Sequence, residues 1–225
     1  MSGFIARMSA AAFLALWAVA FCPLSAQETE KAGSQPTEAQ AFAEFDRSVR
    51  MGDLERSRQL LDEFPKLLDK PDRFGRTPLF NAIHAGHAEI IALLLDKDAS
   101  VTLANADGDT PLHRAAQSGD LPTVKLLFEH NAFVDTRNRR GETPLFKAAS
   151  EGTVPTAEYL ISRGAVVNRG DLSDNTPLHR AVLKGHLEMV KLLLRYKADT
   201  AAKNADGQTP ANLARKPEIR ALLEK

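Results

Sequence analysis

The side chains best suited to chemistry near neutral pH are six histidines: His84, His87, His113, His130, His179 and His186. His84 and His87 are spaced i, i+3, which puts both imidazoles on one helical face, where they could share a metal ion. The sequence places no third ligand beside them, and His87 has a counterpart in His186, so a structural role explains it equally well. The chain has no Gly-x-Ser-x-Gly elbow, no glycine-rich phosphate cradle and no His-Glu-x-x-His helix. Its only cysteine, Cys22, lies in an N-terminal segment that reads as removable, which would leave no disulfide, thiolate ligand or cysteine nucleophile. No cofactor and no catalytic residue is indicated, and an enzyme would need side chains converging on a pocket.

The elements that must position these residues recur at a fixed interval. Thr77-Pro78-Leu79, Thr110-Pro111-Leu112, Thr143-Pro144-Leu145, Thr176-Pro177-Leu178 and Thr209-Pro210-Ala211 are each 33 residues apart. Threonine is a good helix N-cap, and proline suits the first helical position because its missing N–H has no partner there. A fixed period of this length signals a repeat architecture. Each unit opens with turn chemistry, as in Asp72-Arg73-Phe74-Gly75, Asn105-Ala106-Asp107-Gly108 and Asn138-Arg139-Arg140-Gly141. The fourth has Asp174-Asn175, residues that tolerate positive φ. Gly86, Gly119, Gly152 and Gly185 are placed to close the first helix of each unit. Second helices follow, with apolar stripes at Ile90, Ile91 and Leu94; Val124 and Leu127; Ala157 and Leu160; Val190 and Leu193. Their expected ends fall near Asp98, Asn131, Gly164 and Lys197.

The remainder of the 225 residues is organised around this array. Residues 1–26 combine Arg7, an uncharged apolar run from Met8 to Phe21 and a small-residue site at Leu24-Ser25-Ala26, the pattern of a secretory signal peptide. The run is short for a membrane span, so no stable membrane insertion is expected after cleavage. Residues 27–40 read as a disordered linker. A pair resembling the repeats but lacking Thr-Pro-Leu occupies 41–71 as an N-terminal cap, with the apolar series Phe42, Phe45, Val49. Full repeats span 72–104, 105–137, 138–170 and 171–203, and 204–225 forms a C-terminal cap. With 29 basic and 29 acidic residues, the balanced charge argues against nucleic acid as a partner.

The unit Asp/Asn-x-x-Gly-x-Thr-Pro-Leu-His-x-Ala resembles the ankyrin repeat, most fully at Gly108-Asp109-Thr110-Pro111-Leu112-His113-Arg114-Ala115-Ala116, with Gly119 and Val124-Lys125-Leu126-Leu127 following. Phe80 and Phe146 depart from it where histidine is usual, and Ala211 where leucine is. The resemblance implies an all-α solenoid of stacked helix-turn-helix units with projecting β-turn or hairpin fingers. It also implies that first helices and fingers line a concave face, with second helices behind, and that His113 and His179 make hydrogen bonds fixing neighbouring turns.

Candidate binding residues are those that differ between units at corresponding places. At the fingers they are Arg73, Phe74 and Arg76; Asp107 and Asp109; Arg139, Arg140 and Glu142; Leu172, Ser173 and Asn175. On the first helices facing the concavity they are His84, Gln117, Glu151 and Leu183, with Asn81, Arg114, Lys147 and Arg180 near the edge. Phe74, an aromatic beside two arginines, reads either as an interface anchor or as packed on the N-terminal cap. The leading expectation is a monomeric, non-enzymatic, periplasmic or secreted module that binds a partner protein. The alternatives are a metal-dependent or catalytic protein using the groove, and a cytosolic regulator whose first 26 residues are not a signal.

Overall fold

The computed structural model describes residues 36–224; the expected signal segment and the linker up to residue 35 lie outside the described residues. Helices α1 (Glu38–Met51) and α2 (Leu54–Glu63) form the first pair, followed by a 3-10 turn at Pro65–Leu67. Four further pairs are α3 (Pro78–Ala85) with α4 (Ala88–Asp96), α5 (Pro111–Ser118) with α6 (Leu121–Glu129), α7 (Pro144–Glu151) with α8 (Val154–Ser162), and α9 (Pro177–Lys184) with α10 (Leu187–Arg195). The short α11 (Pro210–Leu213) and α12 (Pro217–Leu223) close the series. No strand occurs among the described residues.

The helix boundaries follow from capping chemistry. The Thr77, Thr143 and Thr176 hydroxyls accept the backbone N–H groups of Phe80, Phe146 and His179, and proline occupies the first turn each time. First helices end at Gly86, Gly119, Gly152 and Gly185, all left-handed with φ between 75° and 78°. Second helices turn out through Asp98, Asn131, Gly164 and Lys197, with φ of 63°, 65°, 97° and 60°. Lysine is the least suited of the four, because its side chain makes no local compensation for that conformation.

The same places in every unit build the core. Leu79, Leu112, Leu145 and Leu178 are buried one period apart, as are Ala82, Ala115, Ala148 and Ala181. Behind them Ile91, Val124, Ala157 and Val190 are fully buried, with Leu94, Leu127, Leu160 and Leu193. All belong to one continuous cluster, so each pair covers its neighbour's apolar face. First helices of adjacent units pack more closely than second helices do, because small alanines let their backbones approach.

The N-terminal pair departs from the expectation in two respects. Without a Thr-Pro break, α1 runs for 14 residues and begins at Glu38, so residues 38–40 of the expected linker are helical. Ala41, Phe45 and Val49 form the buried stripe, and Phe42 is only partly buried at its edge. At the other end, Pro217 opens α12, whose Ile219 and Leu223 are buried.

The fingers are turns tied side by side. In all five, an Asp or Asn (Asp72, Asn105, Asn138, Asp171, Asn204) accepts through Oδ1 from the N–H groups two and four residues on, at 2.8–3.1 Å. Each finger then donates one backbone N–H to its predecessor: Ala106 to Phe74, Arg139 to Asp107, Leu172 to Arg140 and Ala205 to Ser173, at 2.9–3.0 Å. The Asp or Asn side chain takes over the inner N–H groups, so one crosslink per neighbour remains and no strand ladder forms. Gly108, at φ 80°, sits where a Cβ would come within 2.8 Å of the Arg139 nitrogen, so both its conformation and the next finger's approach exclude a side chain.

Lys197→Gly is therefore expected to raise the thermal midpoint by about 1–3 °C, because the strain of a non-glycine left-handed residue, about 1 kcal/mol, exceeds glycine's unfolded-state entropy. Gly108→Ala is expected to lower the midpoint by more than that gain. Calorimetric unfolding of both variants checks this, and a lowered midpoint for Lys197→Gly would contradict it.

Candidate binding surface

The turn geometry divides the expected finger residues into two sets. Arg73, Phe74, Asp107, Arg139, Arg140, Leu172 and Ser173 are exposed at the tips, Leu172 at 72 % of its surface. Arg76, Asp109, Glu142 and Asn175 are not tip residues. Their N–H groups are the ones bound four residues on by the Asp or Asn side chain, which holds them at the finger base. Glu142 is buried outright, against the expectation of a variable exposed position.

Glu142 belongs to a network that the sequence reading missed. Lys147, expected near the edge, is buried, with Nζ 2.8 Å from Glu142 Oε2 and 3.5 Å from Asp109 Oδ2. Asn138 Nδ2 donates to both carboxylates, at 2.7 Å to Asp109 and 2.8 Å to Glu142. Burial pushes the Glu142 carboxyl up, but the hydrogen bonds from Lys147 and Asn138 and the charges of Lys147 and Arg140 together hold it below the usual range. The Lys147 ammonium thus joins the finger of its own repeat to the one before.

On the first helices His84 and Glu151 are exposed, and Gln117 and Leu183 are half-buried. The 33-residue register aligns Ser150, not Glu151, with His84, Gln117 and Leu183, so Glu151 stands one residue off that line. Asn81 is buried instead of lying at the edge, because its amide donates to Asp46 at 3.0 Å and to Asp72 at 3.4 Å, pinning the first repeat to the cap. Arg114 and Arg180 stay half-buried, and Nε of each, like that of Arg76, is buried without a hydrogen-bond partner.

Most of the histidines bind neighbouring repeats. Thr110 N–H donates to His113 Nδ1 at 3.1 Å, so Nε2 carries the proton and donates to the Glu142 carbonyl at 3.0 Å. His179 makes the same bridge to the Gln208 carbonyl at 3.0 Å. Burial, the largest influence, holds the His113 imidazole below its ordinary value. His87 and His186 reach back through Nε2 to the carbonyls of Arg50 and Ser150, both at 3.0 Å, so His87 is committed to the cap. Among the described residues no group of three or more His, Cys, Asp or Glu side chains is arranged to hold a metal ion.

A groove of about 560 Å³ runs between α1 and the first finger. Its walls include Phe42, Arg47, Met51, Arg73 and Phe74. Phe74 borders the cap, yet remains 46 % exposed. The guanidinium carbons of Arg73 and Arg76 lie 4.7 Å and 5.0 Å from its ring centroid. Phe42 is expected only in the cap's apolar series, and Arg47 and Met51 are not among the expected binding residues, because the sequence does not show that α1 and the first finger enclose a groove. No helix among the described residues is long and apolar enough to cross a membrane.

A family model for ankyrin repeats (3 copies) matches residues 47–138 and 133–204. The chain is also similar to the 2-5A-dependent ribonuclease of Mus musculus, with 38 % identity over 71 residues, which is 32 % of this chain and 10 % of that protein.

Two of the perturbed groups, both well covered by the fold, contribute an acid limb of stability. His113 is held below its ordinary value, so the unfolded chain takes up its proton first and stability falls as pH drops below about 6.5. Glu142 is also held below its ordinary value, so its contribution is complete above about pH 4.3 and is lost as pH falls through the folded value. His113→Phe, which copies Phe80 and Phe146, is expected to flatten the first limb while leaving the second. Lys147→Ala leaves Asp109 and Glu142 without the cation between them, held by Asn138 alone and by Asn138 and Arg140 respectively, and is expected to cost about 2–4 kcal/mol at pH 7. Urea unfolding from about pH 2 to pH 8 checks both.

Proposed function

The chain belongs to the ankyrin repeat family, and from that membership we propose that it is a non-enzymatic protein-binding module, exported to the periplasm or secreted, which grips a partner through its finger tips and concave face. The observation that carries this reading is the ladder of turns. Side-chain and backbone hydrogen bonds fix each finger, yet the tip residues differ from one finger to the next: Arg73-Phe74, Ala106-Asp107, Arg139-Arg140 and Leu172-Ser173. A rigid scaffold presenting varied side chains loses little entropy on binding, which favours recognition of a shaped protein surface. The family's repeats generally mediate protein–protein interaction, in keeping with that arrangement.

Export is supported by the apolar stretch from Met8 to Phe21 followed by Leu24-Ser25-Ala26, and by the absence of cysteine beyond position 22, which suits an oxidising compartment. The ribonuclease activity in the mouse relative's name is not carried over, because the shared stretch is a tenth of that protein. The module is proposed to act as a monomer, with no cofactor.

Two measurements test this. Affinity capture with the native protein is expected to retain a specific partner that Arg140→Glu and Leu172→Asp reduce at least about tenfold, as loss of an interface anchor does, with the circular dichroism unchanged. Retention that ignores both substitutions would move the interface elsewhere. N-terminal sequencing of protein from the periplasmic fraction or culture medium is expected to begin at Gln27, and an intact Met1 in the cytoplasm would overturn export.

A further inference from the structure

The 33-residue register provides an internal comparison for the charges on the inner face. Finger-base residues, one per repeat, are Arg76, Asp109, Glu142, Asn175 and Gln208. Five residues after each, on the first helix, come Asn81, Arg114, Lys147, Arg180 and Leu213. In the third repeat the arrangement is closed: Lys147 is paired with Glu142 of its own finger and lies 3.5 Å from Asp109 of the preceding one. One step toward the N-terminus, Arg114 takes the place of Lys147, Asp109 that of Glu142, and Arg76 that of Asp109. A cation therefore stands where the next repeat has an anion.

The remaining carboxylate does not resolve the conflict. Asp109 is turned to the following repeat, where it accepts from Asn138 at 2.7 Å and neighbours Lys147. Among the described residues, neither Arg73, Arg76 nor Arg114 makes an ion pair. Arg114 donates only to the neutral Gln117 Oε1, at 3.1 Å, and Nε of both Arg76 and Arg114 is buried with no acceptor. Burial and then the charge of Arg76 weaken the hold of Arg114 on its proton, against the smaller opposing pull of Asp109 and Glu151. Burial followed by the charges of Arg114 and Arg76 likewise pushes His84 down. Asp109 and Glu151 act on Arg114 without closing an ion pair, and two neighbouring guanidinium groups outside any ion pair, each with an unused donor, form a receptor for a planar anion.

We propose that the inner face between the first and second repeats binds an acidic segment of a partner protein, whose carboxylate bridges Arg76 and Arg114 while an adjoining apolar side chain enters the groove beside Phe74. The proposal rests on the protein-binding reading and deepens it. Charge complementarity selects the acid, and the exposed Phe74 and Met51 beside it select an apolar neighbour over a bare anion. A polypeptide fits better than a nucleic acid strand. Phe74 already carries two guanidinium groups over its ring, which limits base stacking, and the chain as a whole has no net positive charge.

The test is selection of a random displayed peptide library on the purified protein, followed by solution binding of the enriched peptides. Expected sequences carry Asp or Glu next to an aromatic or large aliphatic residue. Arg114→Gln is expected to weaken them at least about tenfold, as loss of a charged hydrogen-bonding partner does. Arg76→Asp supplies the missing internal anion, so it is expected to abolish binding while raising the melting midpoint by about 2–4 °C. Enriched sequences without acidic residues, undiminished binding by Arg76→Asp, or tighter binding of a single-stranded DNA oligonucleotide than of any acidic peptide would each overturn the proposal. Non-acidic peptides whose binding is lost in Arg140→Glu would overturn it while leaving the protein-binding reading intact. Failure to retain any peptide or partner would sink both.

Discussion

A helix pair of this size cannot bury its own apolar face, and every other feature of the molecule follows from that shortage. Leu79, Leu112, Leu145 and Leu178 are buried only because a neighbour stands one period away. Hydrogen bonding obeys the same rule. His113 and His179 donate forward to the next finger's carbonyl, whereas His87, Thr153, His186 and Lys216 donate back to the end of the preceding first helix. Backbone N–H groups link adjacent fingers, and Asp69, Asp135 and Asn168 accept N–H groups from the following repeat's loop. Stability is thus distributed among interfaces between neighbours.

Because the scaffold is periodic, its departures from periodicity carry the information. Phe80 and Phe146 replace the bridging histidine, so the forward bond to the next finger occurs from the second and fourth full repeats and not from the first and third. The third repeat carries the buried Lys147, joined to Glu142 and close to Asp109, an ionic link that reinforces the junction His113 already spans and not the one beyond Phe146. The first repeat has neither device. Its ties to the N-terminal cap are the Asn81 amide on Asp46, His87 on the Arg50 carbonyl, Lys97 on Asp62 and the Ser100 N–H on Asp69. Polar cross-links are therefore dense between the second and third repeats and sparse between the first and second, where the Ala106 N–H on the Phe74 carbonyl stands alone among the described hydrogen bonds.

What the sequence revealed, and what it withheld, divides along the same line. Local chemistry was legible. Thr-Pro marks helix starts because capping and fixed φ act within one turn, and the ends at Gly86, Asn131 and even Lys197 follow from backbone conformation alone. The apolar stripes were legible because the period is constant. Side-chain direction at the finger base was not. Whether Glu142 points outward or inward depends on Asn138 Oδ1 capturing its N–H, and on a lysine five residues later reaching across to the previous repeat. That relation appears when residues are compared at offsets of both 5 and 33 together, not by listing what varies at each place. The long α1 escaped for a complementary reason: nothing in the sequence resembles a start signal at the usual position, so the helix simply continues.

The N-terminal end then stands out on energetic grounds. A repeat protein can place opposite charges at successive junctions at little cost, as Asp109 and Lys147 show. At the preceding junction it holds Arg76 and Arg114 instead, each with a buried donor lacking an acceptor. Buried donors without partners cost on the order of 1–3 kcal/mol each, and like charges add to that. The fold tolerates this because the neighbouring junctions are tied by hydrogen bonds and the core beneath is continuous. Local strain of this kind persists only where surrounding structure over-determines the arrangement, and it concentrates where a surface is meant to be completed from outside. The same constancy that makes the scaffold stable makes one unpaired position usable, since an incoming carboxylate meets donors already fixed in place.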